Sequence, residues 1–293
     1  MIKILHKIIE KLFKLKSLNK QLNEIKILIG LSLLRDKKNE TNINDHELKI
    51  FSQFGEDGII DFLVKKIDLK NKTFIEFGVE DYEESNTKFL LEAKNWKGLI
   101  FDSSQIFINK IKKKDYYWRN NLVAVNAFVT AKNINNLIKK NFVHGEVGLM
   151  SIDIDGNDYW VWKAIDICRP SIVIVEYNAR FGDKKSVTVP YKDKFDRTSE
   201  HYSSIYFGAS LAALHKLGKE KGYSLVGTNL NGNNSFFIRD DIIKINNNIQ
   251  TFTPEKCYHT NSFNELRDQK GNILDRDNSL EKQILDKLPL IEI

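Results

Sequence analysis

Three observations in this sequence predict an α/β fold built on a doubly wound, mostly parallel sheet. Leu149–Ile154 and Ser171–Val175 are short apolar runs with β-branched residues, as in strands covered on both faces. Over residues 73–176 such runs alternate with helical segments, as the crossovers of a parallel sheet require. The runs end in acids or amides: Glu76, Asp102, Asn126, Asp153 with Asp155, and Glu176 with Asn178. Ligands of open α/β sheets bind beyond the carboxyl ends of the strands, so the most polar residues fall where chemistry would occur.

Residues 1–36 carry a helical pattern. Ile4, Ile8, Leu12, Leu15, Leu18 and Leu22 recur at three- and four-residue steps. Lys3, Lys7, Lys11, Lys14, Lys16 and Lys20 stand between them, against Glu10 alone. Such a helix suits packing on the domain or a second subunit, or lying on an anionic membrane surface. Residues 37–47 are polar and read as a linker. The expected organisation is a helical extension and linker at 1–43, a sheet domain at 44–253 and an extension at 254–293.

The sheet domain begins with Phe51–Gly58 (FSQFGEDG), which leads into a helix, IIDFLVKKI. Thr73–Val79 is the first strand. Glu80, Asp81, Ser85 and Asn86 then open a helix that reaches about Lys94. Gly98–Phe101 and Leu122–Val125 are the next strands, and Asn133–Lys140 is a helix. In the stretch Gly148–Asn178 a strand meets the turn Asp155-Gly156-Asn157-Asp158, then a helix that stops before Arg169-Pro170, then the strand Ser171–Val175. Residues 179–207 read as an irregular polar and aromatic insertion after a strand's carboxyl end, a common place for a substrate loop. Gly208–Lys221 is a helix. Tyr223–Thr228 and Ser235–Arg239 flank an Asn-Gly turn, so the sheet closes with an antiparallel hairpin. The tail from Pro254 is polar, with a helix near Leu280–Leu288.

Composition bounds the function. The 293 residues, 42% of them hydrophobic, suffice for one large α/β domain with appendages. The net charge of +6 comes from 45 basic against 39 acidic residues, a mixed surface that argues little for nucleic acid. Two cysteines, Cys168 and Cys257, exclude a disulfide framework and fit a reducing cytoplasm. No apolar run approaches the ~18 residues of a membrane span. The N-terminus has neither a clean apolar core nor a small-residue cleavage site, which argues against a signal peptide.

Glu76, Gly78 and Asp102 suggest a cofactor. A strand ending in an acid and a glycine lets a ligand approach the backbone. An acid at the end of the next strand can accept from both hydroxyls of a ribose. The dinucleotide fingerprint G-x-G-x-x-G is absent, and Glu80, Asp81, Glu83 and Glu84 would repel a pyrophosphate. The same acids accept a ligand bearing an ammonium and a sulfonium, which favours S-adenosylmethionine (SAM) over NAD.

The segments SQFGEDGII, FIEFGVEDYEESNT, GLMSIDIDGNDYWVWKAI, VIVEYN and GASLAALHKLGKEKGYSLVGT, in this order, resemble a group of class I methyltransferases. That group is related to the sugar and macrolide methyltransferases of the FkbM and TylF type. The resemblance spans roughly residues 50–240. It implies a Rossmann-like, seven-stranded sheet of order 3-2-1-4-5-7-6 and SAM as cofactor. Carried over residue by residue, it puts Glu76 and Gly78 beside the methionine part, and Asp102 with Ser103 at the ribose. Asn126, Ala127 and Phe128 come to lie by the adenine, and Asp153 near the amino group or the methyl. Gln53 and the acids of FGEDG cover the cofactor, and Asn86 joins this set. Where relatives have Asp-Gly after the first strand, this chain has Asp81-Tyr82.

In the metal-dependent sugar methyltransferases of this resemblance, acids at the ends of the fourth and fifth strands hold a divalent ion. Here they correspond to Asp155, Glu176 and the neutral Asn178, where relatives carry a second acid on the fifth strand. Hard oxygen ligands with room for water suit Mg²⁺ or Mn²⁺. Such an ion would bind vicinal sugar hydroxyls and lower the pKa of one of them. Arg180 is an alternative cation for the same carboxylates. His201, in the polar insertion, is the first choice for general base, ahead of Asp155 and Asp153. His144 and His215 read as structural. Tyr159, Trp160 and Trp162 could stack on a sugar ring, although such aromatics commonly pack in cores.

The expectation is therefore a cytoplasmic SAM-dependent O-methyltransferase. Its acceptor would be a sugar hydroxyl, on a nucleotide-activated sugar or a polysaccharide precursor. The rivals are a nicotinamide-dependent sugar oxidoreductase and a non-catalytic binding module tethered by its basic helix.

Overall fold

The computed structural model describes the backbone of residues 2–36, 41–141, 145–246 and 248–293, with side chains for all of these except 2–13, 15, 16 and 36. His144 and the linker residues 37–40 lie outside the described residues, as do the side chains of Lys3, Lys7, Lys11 and Lys16. The chain divides into two compact units, Met1–Glu40 and Thr41–Ile293.

The described residues of the first unit form one helix, α1 (Ile2–Asp36). Leu18, Leu22, Ile25 and Ile29 on it are about half exposed. Among the described residues, no helix is long and apolar enough to cross a membrane.

The second unit holds a seven-stranded sheet. In chain order its elements are α2 (Glu56–Lys66), β1 (Thr73–Phe77), α3 (Lys88–Lys94), β2 (Lys97–Asp102), α4 (Gln105–Lys112), α5 (Asp115–Arg119), β3 (Leu122–Asn126), α6 (Ile134–Asn141), β4 (Gly145–Ile152), α7 (Asp158–Ala164) and β5 (Cys168–Glu176). There follow β6 (Val187–Thr188), α8 (Arg197–Glu200), α9 (Leu211–Lys221), β7 (Tyr223–Thr228), β8 (Asn234–Arg239), α10 (Asp240–Ile245), α11 (Pro254–Cys257), α12 (Asn278–Leu285) and β9 (Ile291–Glu292). The main sheet runs β3-β2-β1-β4-β5-β8-β7, and its pairings are parallel except those that β8 makes with β5 and β7. With the two-residue β6 left out of the count, this is the order 3-2-1-4-5-7-6, the Rossmann-like fold of class I methyltransferases.

Alternate residues of each strand feed opposite faces of the sheet. Ile75, Phe77, Met150, Ile152, Val173 and Val175 join one buried cluster, with Trp162 and Leu214 of the covering helices. Phe74, Ile100, Leu149, Ile172 and Ile174 join the other, with Ile59 and Leu63 of α2. The central strands therefore read as continuous apolar runs.

Several boundaries differ from expectation. β4 and β5 begin earlier than Leu149 and Ser171, and β5 runs through Pro170. The proline is tolerated because β8 pairs with β5 only from Ile172 onward, so Pro170 lies where the ladder is one-sided. α9 begins at Leu211, where the Ser210 side chain accepts from the Ala213 N–H. The insertion and the C-terminal tail are more ordered than their polarity suggests. Phe181, Val187, Phe195, Ile205 and Phe207 form a third apolar cluster with Leu266 and Leu285 of the tail. β6 pairs with β9 beside it.

The acids of FGEDG are structural. Asp57 is buried, and its Oδ2 accepts from the N–H groups of Ile50, Phe51 and Ser52 at 2.8, 2.6 and 2.7 Å. Glu56 accepts from the side-chain amides of Asn229 and Asn234 at 2.7 and 3.0 Å, tying α2 to the closing hairpin. We expect Asp57→Ala to lower unfolding stability by roughly 3 kcal/mol or more, since it leaves buried N–H groups without an acceptor. Urea denaturation checks this. A loss under about 1 kcal/mol would show that water replaces the carboxylate.

Candidate functional site

The carboxyl ends of β1, β2, β4 and β5 open into a cavity of about 740 Å³. Asp102 lines one end of it. Its Oδ1 accepts from Ser104 N–H at 2.7 Å and its Oδ2 from Glu80 N–H at 2.8 Å, leaving each oxygen a lone pair for a ligand. Burial holds its pKa above the usual carboxylate value. Ser103, Ala127 and Phe128 line the same end, with Phe107 and Val129. Asn126 pairs in register with Asp102 but does not line the cavity. Its amide donates to the Asp102 and Ser103 carbonyls and so shapes the loop that does.

Glu76 and Gly78 also line the cavity, and each has a structural use there. The Glu76 carboxylate accepts from Ser85 Oγ, Asn86 N–H, Thr87 N–H and Thr87 Oγ1, at 2.7, 2.8, 3.2 and 2.5 Å. It anchors the loop after β1, and burial raises its pKa in spite of these bonds. Gly78 has φ +73°, and a Cβ there would stand 1.7 Å from the Asp153 carbonyl oxygen. The β4 end approaches the backbone closely at this glycine, which leaves no room for a side chain. In the Asp81-Tyr82 pair, Tyr82 itself takes φ 62°. Its ring is fully buried and its hydroxyl meets Thr87 Oγ1 at 2.8 Å. Asn86 lines the cavity while its amide donates to Ser151 Oγ at 3.0 Å. Gln53 lines the cavity beside Phe54, whereas Glu56 and Asp57 do not.

The other end is acidic. Ligand oxygens of Asp153, Asp155 and Glu176 lie within 4.8 Å of one another. Asp153 stands where Asn178 was expected. The Asn178 amide is buried and spent on the insertion, donating to the Ile205 and Phe207 carbonyls at 2.8 and 3.1 Å and accepting from Arg180 N–H at 3.2 Å. Asp155 takes φ 55°, and Asp158 holds the turn by accepting from Ile154 and Gly156 N–H at 2.8 and 2.9 Å. A Cβ at Gly156 would strike the Phe195 ring at 2.1 Å, so the turn packs directly under the insertion.

Burial, and then the neighbouring negative charges, push the carboxyls of Asp153 and Glu176 well above the ordinary range. Glu176 Oε2 is buried without a hydrogen-bond partner. The cation at this end is Arg197 and not Arg180. Arg197 Nη1 meets Asp155 Oδ1 at 2.5 Å and its Nη2 pairs with Glu265. Arg180 turns instead to Glu265 and Glu281, at 3.2 and 3.3 Å.

His201 does not line the cavity. Its Nδ1 pairs with Ser203 Oγ at 2.7 Å, its ring lies on Tyr202, and partial burial lowers its pKa. It sits at the end of α8, which carries the ring away from the acids. His215 lies on α9 away from the cavity wall. Tyr159 and Trp162 are core residues, and the Trp160 indole donates to the Val189 carbonyl. The aromatics that line the acid end are Phe195, Phe54 and Phe263, the last two stacked at 5.7 Å.

Arg197, Phe263 and Glu265 were not legible as site residues. They sit in the insertion and the tail, far in sequence from the strand ends. The only signal was an arginine and aromatics inside otherwise polar segments.

The sequence matches no family model and no curated protein. Solved structures similar to it include an O-methyltransferase from Bacillus cereus in complex with SAH, at 14% identity and TM-score 0.41, covering 73% of this chain and 89% of that one. A putative caffeoyl-CoA O-methyltransferase from Staphylococcus aureus is similar at 12% identity and TM-score 0.42, over 62% of this chain and 82% of its own. The N-terminal domain of EvdMO1 with SAH bound is similar at 8% identity and TM-score 0.42, over 64% and 81%.

The raised carboxyls have a consequence for stability. A carboxyl whose folded pKa lies above its unfolded value stabilises the fold when protonated. That contribution is complete below the unfolded pKa and is lost as pH rises through the folded value. Glu176→Gln mimics the protonated form. In chelator at neutral pH it should therefore be more stable than wild type by about 1 kcal/mol. The gain should vanish near the ordinary Glu pKa of about 4.3. Thermal melts across pH check this, and a variant less stable at neutral pH would contradict it.

Proposed function

We propose that the sheet domain is a SAM-dependent O-methyltransferase whose acceptor is a sugar hydroxyl, on a nucleotide-activated sugar or a polysaccharide precursor, with a divalent ion at Asp153, Asp155 and Glu176. The observation that carries the reading is one cavity with two chemically distinct ends, at the carboxyl edge of a 3-2-1-4-5-7-6 sheet. Asp102 with Phe107 and Phe128 suits a nucleoside, accepting from ribose hydroxyls beside an apolar patch for the base. The absence of a glycine-rich phosphate turn after β1, and the run of acids there, argue for SAM over a nicotinamide dinucleotide.

The acid end suits an ion. Three hard oxygen donors converge, and Glu176 Oε2 lacks a partner that a cation would supply. When bound, SAM supplies an activated methyl group and the ion a Lewis acid that eases deprotonation of the acceptor hydroxyl. The chain's own residues would do the rest. Phe54, Phe195 and Phe263 would shield the acceptor from water and give its ring an apolar face. In place of His201, which lies off the cavity, the proton would pass to a carboxylate of the cluster. We place the protein in the cytoplasm, with α1 available to an anionic membrane surface or a second copy.

Calorimetric titration with SAM and with NAD tests the cofactor. SAM binding is expected, and binding of NAD alone would favour the oxidoreductase. Asp102→Ala should weaken SAM binding by about 1–3 kcal/mol, the cost of unpaired ribose hydroxyls. Unchanged affinity in the folded variant would remove Asp102 from the site.

For the ion, EDTA should abolish methyl transfer and Mg²⁺ or Mn²⁺ restore it. Asp155→Asn should lose turnover and keep SAM. Full turnover in chelated enzyme would rule the ion out.

A further inference from the structure

We propose that Arg197 is a resident counter-ion of the acid cluster, which a divalent cation must displace from Asp155 and which Glu265 retains after displacement. The inference rests on the metal reading above and concerns what competes with the metal.

Three carboxylates face one guanidinium at this end of the cavity, and Arg197 reaches only the outermost of them. The Asp155 side chain is 58% exposed, that of Arg197 only 18%. Glu176 lies deeper, with Oε2 unpartnered. The arginine therefore neutralises the carboxylate that needs it least and leaves Glu176 Oε2 without a partner. A small divalent ion carries twice the charge and can reach all three oxygens. It would satisfy Glu176 and take over Asp155.

The arginine's contacts are unequal. The pair with Asp155 is solvent-facing, the kind of ion pair that contributes least. On its other side Arg197 pairs with the part-buried Glu265 and lies 4.6 Å from the Phe207 ring centroid. Releasing Asp155 consequently does not strand a buried charge. Glu265 is itself held by Arg180, whose side chain is buried and faces Glu281 of α12. The seat for the displaced arginine is thus built by the C-terminal tail. Arg197 and Glu265 act here as positioning residues.

The test is Mn²⁺ titration of the full-length protein without SAM, followed by the spin-resonance signal of the free ion. The apparent affinity of a ligand falls in proportion to the fraction of protein competent to bind it. Arg197→Gln should therefore bind Mn²⁺ about tenfold more tightly than wild type. Arg197→Lys keeps the charge and should stay within about threefold of wild type. Glu265→Gln should bind Mn²⁺ more weakly, because Arg197 then has only Asp155 to hold. Circular dichroism and cooperative melting establish that each variant is folded. Equal or weaker Mn²⁺ binding by folded Arg197→Gln overturns the inference and leaves the metal reading standing. No Mn²⁺ on either wild type or Arg197→Gln overturns both. Unchanged binding by Glu265→Gln removes Glu265 from the role.

Discussion

The arrangement depends on crowding of like charge at the ends of β4 and β5. A parallel sheet sets adjacent strand ends about 5 Å apart, and this chain places Asp153, Asp155 and Glu176 there. In a part-buried site such a group is stable only with cations, protons or both. The structure answers with Arg197 at the rim and with carboxyls whose ionisation is suppressed deeper in. An apolar or amide-rich strand end would need neither. The acid end is thus poised to take up positive charge.

That constraint explains the insertion and the tail. Arg197 comes from the insertion after β5, and Glu265, which shares it, comes from the tail. Neither segment could hold a guanidinium in place without a core of its own. Phe181, Phe195, Ile205 and Phe207 pack with Leu266 and Leu285 to make one. Tyr258 donates to the Ala179 carbonyl at 2.6 Å, and Tyr206 to the Pro289 carbonyl at 2.6 Å, stitching the two segments together. The wall facing the acids is therefore built from two segments distant in sequence, with Arg197 standing 68 positions from Glu265, joined by an apolar cluster beside the main sheet.

Elsewhere the chain uses the same chemical groups for a different purpose. Glu76, Asp57, Asp158 and Glu56 are all buried acids near the cavity, and each is occupied by neighbouring donors. They fix the loop after β1, the approach to α2, the turn after β4 and the link to the closing hairpin. Rigid loops are what a binding edge needs, because each ligand-facing group must stay in place without a helix or strand beneath it.

The strands were legible in the sequence, because strands buried on both faces leave short continuous apolar runs between turn signals, whereas their order in the sheet was what the family resemblance implied. The positions of Asp102, Asp153, Asp155 and Glu176 at the carboxyl edge followed from the same pattern. Sequence alone could not separate an acid with free oxygens from one whose oxygens are taken. Glu76 and Asp102 look alike as strand-end acids, and only the folded loop 85–87 shows that Glu76 Oε2 is taken by three donors. Likewise Asn178 looked like a ligand until the insertion supplied carbonyls for its amide, and His201 looked like a base until α8 carried it from the cavity. Local periodicity determines strands and helices because burial is decided by near neighbours. Which polar group is free, and which cation meets which acid, is decided by contacts between distant segments, and those exist only in the tertiary structure.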